Sequence, residues 1–364
     1  MNRLEQLYAS CGQSPWLDNL SRDALQSGMV TRAIEGGVRG MTSNPTIFEK
    51  ALGSDAYGEQ LRDLAERGVT VDDAYWSLVV TDIGAAASAF DDVYRASDGG
   101  DGFVSVEVDP RLAHDSEGTI EAGKALHRRL NRPNVLIKVP ATVAGVAAVE
   151  ELLAAGVGVN VTLIFGLPRY REVMAAWRGG IGRAHAAGLP IPPSVASFFV
   201  SRVDTEIDCR LDAIGTAEAL ALRGRAAVAQ AKAAYQLFLA DVTGCEPGAT
   251  LGQGAWQRPL WASTSTKNPA YPDLLYVDTL IGPYTVNTLP DVTLAAFADH
   301  GVPARTIDQD VEAAHATLAE LARVGVDLDD VAAVLEREGV ASFAASHAAV
   351  LETVATRLGV MARS

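Results

Sequence analysis

Short runs of aliphatic and β-branched residues recur along the chain, each followed by a longer stretch whose apolar positions fall at helical spacing. Eight runs stand out. They are SPWLDNL (14–20), GVRGMTSN (37–44), DGFVSVEVD (101–109), NVLIKVPAT (134–142), GVGVNVTLIF (156–165), PSVASFFV (193–200), RPLWAST (258–264) and YTVNTLP (284–290). Most are rich in Val, Ile, Leu and Phe, as strands buried on both faces of a parallel sheet are. The stretches between them read as helices. Residues 142–155 put Val146, Val149 and Leu153 on one face, with Gly156 as the stop. Pro168 opens the next helix, where a missing N–H costs little. Residues 216–242 read as one long Ala-rich helix, and 243–257 as an exposed Gly/Pro loop.

Strands alternating with helices eight times predict an α/β fold, a (β/α)8 TIM barrel with additional helices, in a single domain spanning 1–364. The gap at 45–100 is longer than one crossover needs and is expected to carry extra helices. The segment 304–364 is expected to be helical and to pack outside the barrel. The alternative is a doubly wound open sheet. No G-x-G-x-x-G follows a strand, which weighs against it.

Composition narrows the function. Apolar residues make up 48% and charged residues 21% of the 364, values of a globular rather than a disordered chain. The net charge of −15 argues against a nucleic-acid or polybasic membrane contact. A phosphorylated ligand stays open, because a few cations in a cleft outweigh distant charge at ordinary salt. Three scattered cysteines, Cys11, Cys209 and Cys245, make a disulfide framework improbable. Residues 1–18 lack the apolar core of a signal peptide, and no run reaches the ~18 apolar residues of a membrane span. A cytoplasmic location is expected. The six histidines show neither H-x-x-x-H nor H-E-x-x-H spacing, and no metal site or cofactor motif is expected.

Of five lysines, only Lys138 lies in a strand, bracketed by Val-Leu-Ile and Val-Pro. A buried ammonium is costly, so such a lysine is either paired with an acid or held neutral. A neutral amine attacks carbonyl carbon. The other strands also carry polar residues where buried strands are normally apolar: Asp18, Thr42, Ser43, Asn44, Glu107, Asn160, Thr162, Ser197, Ser263 and Asn287. In a barrel, inward polar residues at the carboxyl ends of strands form the active site. An internal polar network is the structural alternative, and a polyhydroxylated ligand accounts better for polar residues on nearly every strand. Carboxylates beside such a lysine can move protons, and Asn, Ser and Thr can orient hydroxyls.

The residues WLDNL (16–20), GMTSNPTIF (40–48), VSVEVDPRL (104–112), VLIKVPATVAG (135–145), VNVTLIF (159–165), ASFFVSRVD (196–204) and WASTSTKNP (261–269) closely resemble the transaldolase family. The resemblance spans nearly the whole chain. It implies that Lys138 forms a Schiff base with a ketose phosphate and that Asp18 acts as general acid/base. It implies that Glu107, with Thr162, positions a water. Asn44, Asn160 and Ser197 would hold the dihydroxyacetone moiety, and Arg202 the phosphate. The implied reaction moves a dihydroxyacetone unit from sedoheptulose 7-phosphate to glyceraldehyde 3-phosphate in the non-oxidative pentose phosphate pathway, without a cofactor.

One segment departs from the family pattern. Many transaldolases carry an arginine after strand seven as a second phosphate ligand, where this chain has Ser263-Thr264-Ser265-Thr266-Lys267. Lys267 is either a substitute point charge or a surface lysine. At position 199, related aldolases that cleave fructose 6-phosphate tend to have tyrosine, whereas this chain has Phe199. Release of free dihydroxyacetone by such an aldolase is the alternative reaction, and a barrel without catalysis the alternative class. The partners implied are small sugar phosphates, with a homodimer left open.

Overall fold

The computed structural model describes residues 1–243 and 256–361. Eight strands close into a barrel in sequence order, every neighbour parallel. They are β1 (Gln13–Leu17), β2 (Gly40–Thr42), β3 (Val104–Glu107), β4 (Val135–Pro140), β5 (Val159–Ile164), β6 (Ser194–Phe199), β7 (Gln257–Ala262) and β8 (Thr285–Leu289). Each of the eight predicted runs overlaps a strand. The runs overshoot at their carboxyl ends, and there lie Asp18, Ser43, Asn44 and Ser263, just past the last paired residue. Every residue of every strand is buried, as a sheet covered on both faces requires.

The amino-terminal end of the barrel is tied by one carboxylate. Asp101 accepts from Trp16 Nε1 at 2.8 Å and from Arg39 Nε at 2.8 Å, and also from Ser14. The Arg258 guanidinium lies 3.5 Å away. This network joins β1 and β7 to the segments entering β2 and β3, on the face of the barrel that serves stability. At the other end, the Val143–Ala154 helix starts directly after β4, with Thr142 accepting from Gly145 N at 2.9 Å. Gly145 is required there, because a Cβ would collide with the Pro140 carbonyl oxygen.

One expectation needs correction. The Ala-rich stretch is two helices, Ala217–Leu220 and Ala226–Thr243. Gly224, at φ +69°, breaks it: its N–H donates to Asp208 Oδ1 at 2.9 Å and the Tyr271 ring packs on its Cα. Most of the expected Gly/Pro loop, with Cys245, lies outside the described residues. The tail also does more than cover the flank. Its Leu328–Met361 helix, about 51 Å long at 1.5 Å per residue, packs on the Pro45–Ala51 helix, on the Gly58–Glu66 and Val71–Ala89 helices, and on the end of β5. It reaches β5 where the strand bulges between Val161 and Ile164. Leu163 there has φ +59°, an unfavourable region for a branched residue, and its side chain packs against Gly339.

No helix among the described residues is long and apolar enough to cross a membrane.

Candidate active site

A cleft of about 320 Å³ opens at the carboxyl ends of the strands. Asp18, Asn44, Lys138, Ser197, Phe199, Arg202, Ser263 and Lys267 all line it. Glu107, Asn160 and Thr162 do not; they are buried beside it on β3 and β5, the strands flanking β4.

Barrel register sets the central pair. Glu107 and Lys138 are matched positions of β3 and β4, and Lys138 is matched to Asn160 of β5. Lys138 Nζ lies 3.4 Å from Glu107 Oε2 and donates to the Ser43 carbonyl at 3.2 Å. The lysine is therefore paired, as the structural reading of the sequence allowed. Yet it faces an open cleft, which a sealed structural ion pair does not. Burial pushes the Glu107 carboxyl up to about 7, with the Lys138 charge opposing. Glu107 Oε1 and Thr162 Oγ1 are buried without a partner, and Glu107 Oε2 has only the Lys138 amine at 3.4 Å. Unpaired buried acceptors of this kind are costly unless a water or ligand meets them.

Asp18 follows β1 and accepts from Thr42 Oγ1 at 2.8 Å. Burial raises its carboxyl, while Lys138, Thr42 and Arg202 pull it back down. Asn44 caps the Pro45–Ala51 helix through Ile47 N at 3.0 Å. Asn160 is satisfied at both ends, donating to Ser105 Oγ at 3.0 Å and accepting from Ser197 Oγ at 2.7 Å. Of these three hydroxyl and amide groups, Ser197 thus presents itself to the cleft with Asn160 behind it.

Phe199, at the end of β6, sits between Phe165, with ring centroids 5.0 Å apart, and Arg202, whose Cζ is 5.3 Å from the ring centroid. Burial lowers the Arg202 guanidinium, opposed by Asp18 and Glu338. Ser263 takes φ +57° after β7, and its Oγ lies 2.9 Å from Ser201 Oγ. Lys267 is exposed at the rim. Asn287, within β8, accepts from Thr264 Oγ1 at 2.9 Å and does not line the cleft.

Two of the lining residues that were not singled out from the sequence carry chemistry the site can use. Phe343, from the Leu328–Met361 helix, has its ring centroid 5.9 Å from Lys138 Nζ. Lys50 lies in the last turn of the Pro45–Ala51 helix. Only for Lys50 was there a signal, its position six residues beyond Asn44.

Among the described residues, Asp72, Asp109 and His347 bring together donor atoms of metal-binding type. The group lies outside the cleft lining, and Arg111 already supplies a cation to it, 2.5 Å from Asp72 and 2.6 Å from Asp109.

A closed parallel barrel whose charged and polar cleft lies at the carboxyl ends of its strands defines a (β/α)8-barrel enzyme. The profile of the transaldolase/fructose-6-phosphate aldolase family matches residues 15–354, and the chain belongs to that family. It is 51% identical to "Transaldolase 1" of Streptomyces coelicolor, over 97% of this chain and 94% of that protein. It is 50% identical to "Transaldolase" of Frankia alni, over 98% of each chain. It is 49% identical to "Transaldolase" of Thermobifida fusca, again over 98% of each.

Proposed function

We propose that this chain is a transaldolase that moves a dihydroxyacetone unit from sedoheptulose 7-phosphate to glyceraldehyde 3-phosphate through a Schiff base on Lys138. The observation that carries the reading is an amine held beside a carboxyl at the wall of an open cleft, Lys138 next to Glu107. The names of the relatives favour transfer over release.

The Lys138 amine adds to the ketose carbonyl, water leaves, and an iminium forms. Asp18 takes the proton of the hydroxyl next to the bond that breaks, and the bonding electrons pass into the iminium to give an enamine. The aldose phosphate departs, a second aldehyde enters, and the enamine carbon attacks it as Asp18 returns the proton. Water then hydrolyses the new iminium. Glu107 and Thr162 hold that water, a role for which their unpartnered oxygens are suited. Asn44 and Ser197, with Asn160 behind Ser197, orient the dihydroxyacetone hydroxyls. Arg202 takes the phosphate, with Ser263 and Lys267 as neighbours. Phe199 keeps the pocket apolar. The iminium is the electron sink, so the chemistry calls for no cofactor.

The whole chain acts as one domain in this reading, in the cytoplasm and in the non-oxidative pentose phosphate pathway. It acts on sugar phosphates without a nucleic-acid or membrane partner, alone or as a homodimer. Borohydride with fructose 6-phosphate tests the chemistry. A reduced dihydroxyacetone adduct is expected on the peptide containing Lys138, and Lys138→Arg is expected to lose both adduct and turnover. An adduct found only at another lysine, or none, overturns the reading.

A further inference from the structure

We infer that Lys50 is a specificity-determining residue that draws the phosphate of incoming aldose phosphates into the cleft. The inference rests on the sugar-phosphate reading above.

The topology sets the arrangement. In an eight-stranded closed barrel β2 and β6 are four strands apart and stand on opposite sides. Lys50 follows β2 and Arg202 follows β6, and both line the same cleft. The two cations therefore flank the mouth from opposite walls, and Lys267 joins Arg202 from the segment after β7. Lys50 is exposed and makes no ion pair or side-chain hydrogen bond among the described residues. It is not spent on holding the fold together.

Charge gives such a lysine a task. The chain carries 45 acidic residues and a net charge of −15, so its distant field repels a phosphate dianion. Within a Debye length of about 8 Å at physiological salt, local cations outweigh that field. Charge of one sign lining a cleft raises the rate at which an oppositely charged substrate enters.

Flexibility divides the work. Arg202 is half-buried against the Phe199 ring and suits a phosphate in one position. A lysine is a mobile point charge on a four-carbon stem. Transfer requires the mouth to accept a phosphate at the end of a long ketose and, next, at the end of a short aldose. The aldose is not yet covalently held, so its capture depends most on free charge at the rim. Lys50 fits that second event.

The test compares glyceraldehyde 3-phosphate with glyceraldehyde as acceptors for one donor, at low and at high salt. The readout is the ratio of the two kcat/KM values. In Lys50→Gln the ratio is expected to fall about tenfold at low salt, equivalent to ~1.4 kcal/mol, and to fall less at high salt. Lys50→Arg is expected to recover most of it. A ratio in Lys50→Gln equal to that of the unaltered protein overturns the inference. Borohydride trapping at Lys138 in the same preparations separates the two claims. If trapping succeeds and the ratio stays put, only the role of Lys50 falls; if trapping fails in the unaltered protein, the underlying reading falls and this one with it.

Discussion

Glu107 and Lys138 occupy matched positions on adjacent barrel strands, with 3.4 Å between the carboxylate and the amine. Strand pairing fixes the positions from which the two side chains reach toward each other. In so buried a place the carboxyl is pushed up to about 7. It is protonated below that pH and charged above it.

That position of the Glu107 titration predicts a pH profile. If Glu107 holds and deprotonates the hydrolytic water, it works as the carboxylate. Turnover is then expected to rise with pH through an apparent pKa near 7, on the low-pH side of the profile. Glu107→Gln is expected to lower kcat by roughly 10²- to 10⁴-fold, the usual contribution of a positioned acid/base, and to flatten that limb. A limb near pH 7 that persists in Glu107→Gln assigns the titration elsewhere.

Arg202 is expected to act on binding more than on chemistry. A charge-assisted hydrogen bond to phosphate contributes about 1.5–3 kcal/mol. Arg202→Ala is therefore expected to raise KM for phosphorylated donors by roughly ten- to a hundredfold, while borohydride trapping persists at high substrate. Lys267→Ala is expected to show a smaller rise, because Lys267 is exposed at the rim. Unchanged KM in Arg202→Ala, measured by steady-state kinetics, moves the phosphate elsewhere.

Phe343 lines the cleft, its ring centroid 5.9 Å from Lys138 Nζ, and comes from a helix that begins almost two hundred residues later in the chain. Its face is near the amine, and in the proposed mechanism the ring would keep water from the imine. Phe343→Leu keeps most of the apolar volume and removes the ring. Acceptor-free release of dihydroxyacetone from fructose 6-phosphate is expected to rise severalfold, with transfer reduced and the melting temperature close to that of the unaltered protein. Equal partition in both proteins means the ring does not guard the imine.

The contrast between Lys138 and Phe343 marks what a sequence discloses. Lys138 was legible because an ammonium among Val, Leu and Ile is physically costly, and the cost appears within seven residues. The strands were legible for the same local reason. Phe343 was not, because part of the mouth comes from a helix distant in sequence, and Lys50 was passed over although it lies only six residues beyond Asn44. Helical periodicity tells which face is apolar but not which surface it meets. The Leu328–Met361 helix could be assigned to its length but not to the barrel mouth. Likewise, alanine-rich sequence hid the break at Gly224, which depends on Asp208 and Tyr271 from other segments. Asn160 was legible as a polar residue in a strand, whereas its double satisfaction by Ser105 and Ser197 is a property of the closed barrel.

In the proposed mechanism Phe199 biases the choice between transfer and release. Once the donor is cleaved, the enamine on Lys138 either attacks an aldehyde or is protonated and hydrolysed. The Phe199 ring lines the cleft, packed between Phe165 and Arg202. It offers no proton and orders no water, so protonation is disfavoured. The unaltered protein is expected to turn over fructose 6-phosphate slowly alone and quickly with erythrose 4-phosphate. Phe199→Tyr adds one hydroxyl at the same ring position and is expected to raise acceptor-free release of dihydroxyacetone while lowering transfer. A tenfold change in partition needs only ~1.4 kcal/mol of differential barrier, about what one hydrogen bond provides. The neighbouring guanidinium supplies an internal control. If the tyrosine merely disturbed Arg202, KM for phosphorylated donors would rise and the partition ratio would stay constant. A changed ratio at constant KM places the effect on the enamine. If the unaltered protein already releases dihydroxyacetone as fast as it transfers it, the aldolase reading replaces the transaldolase one.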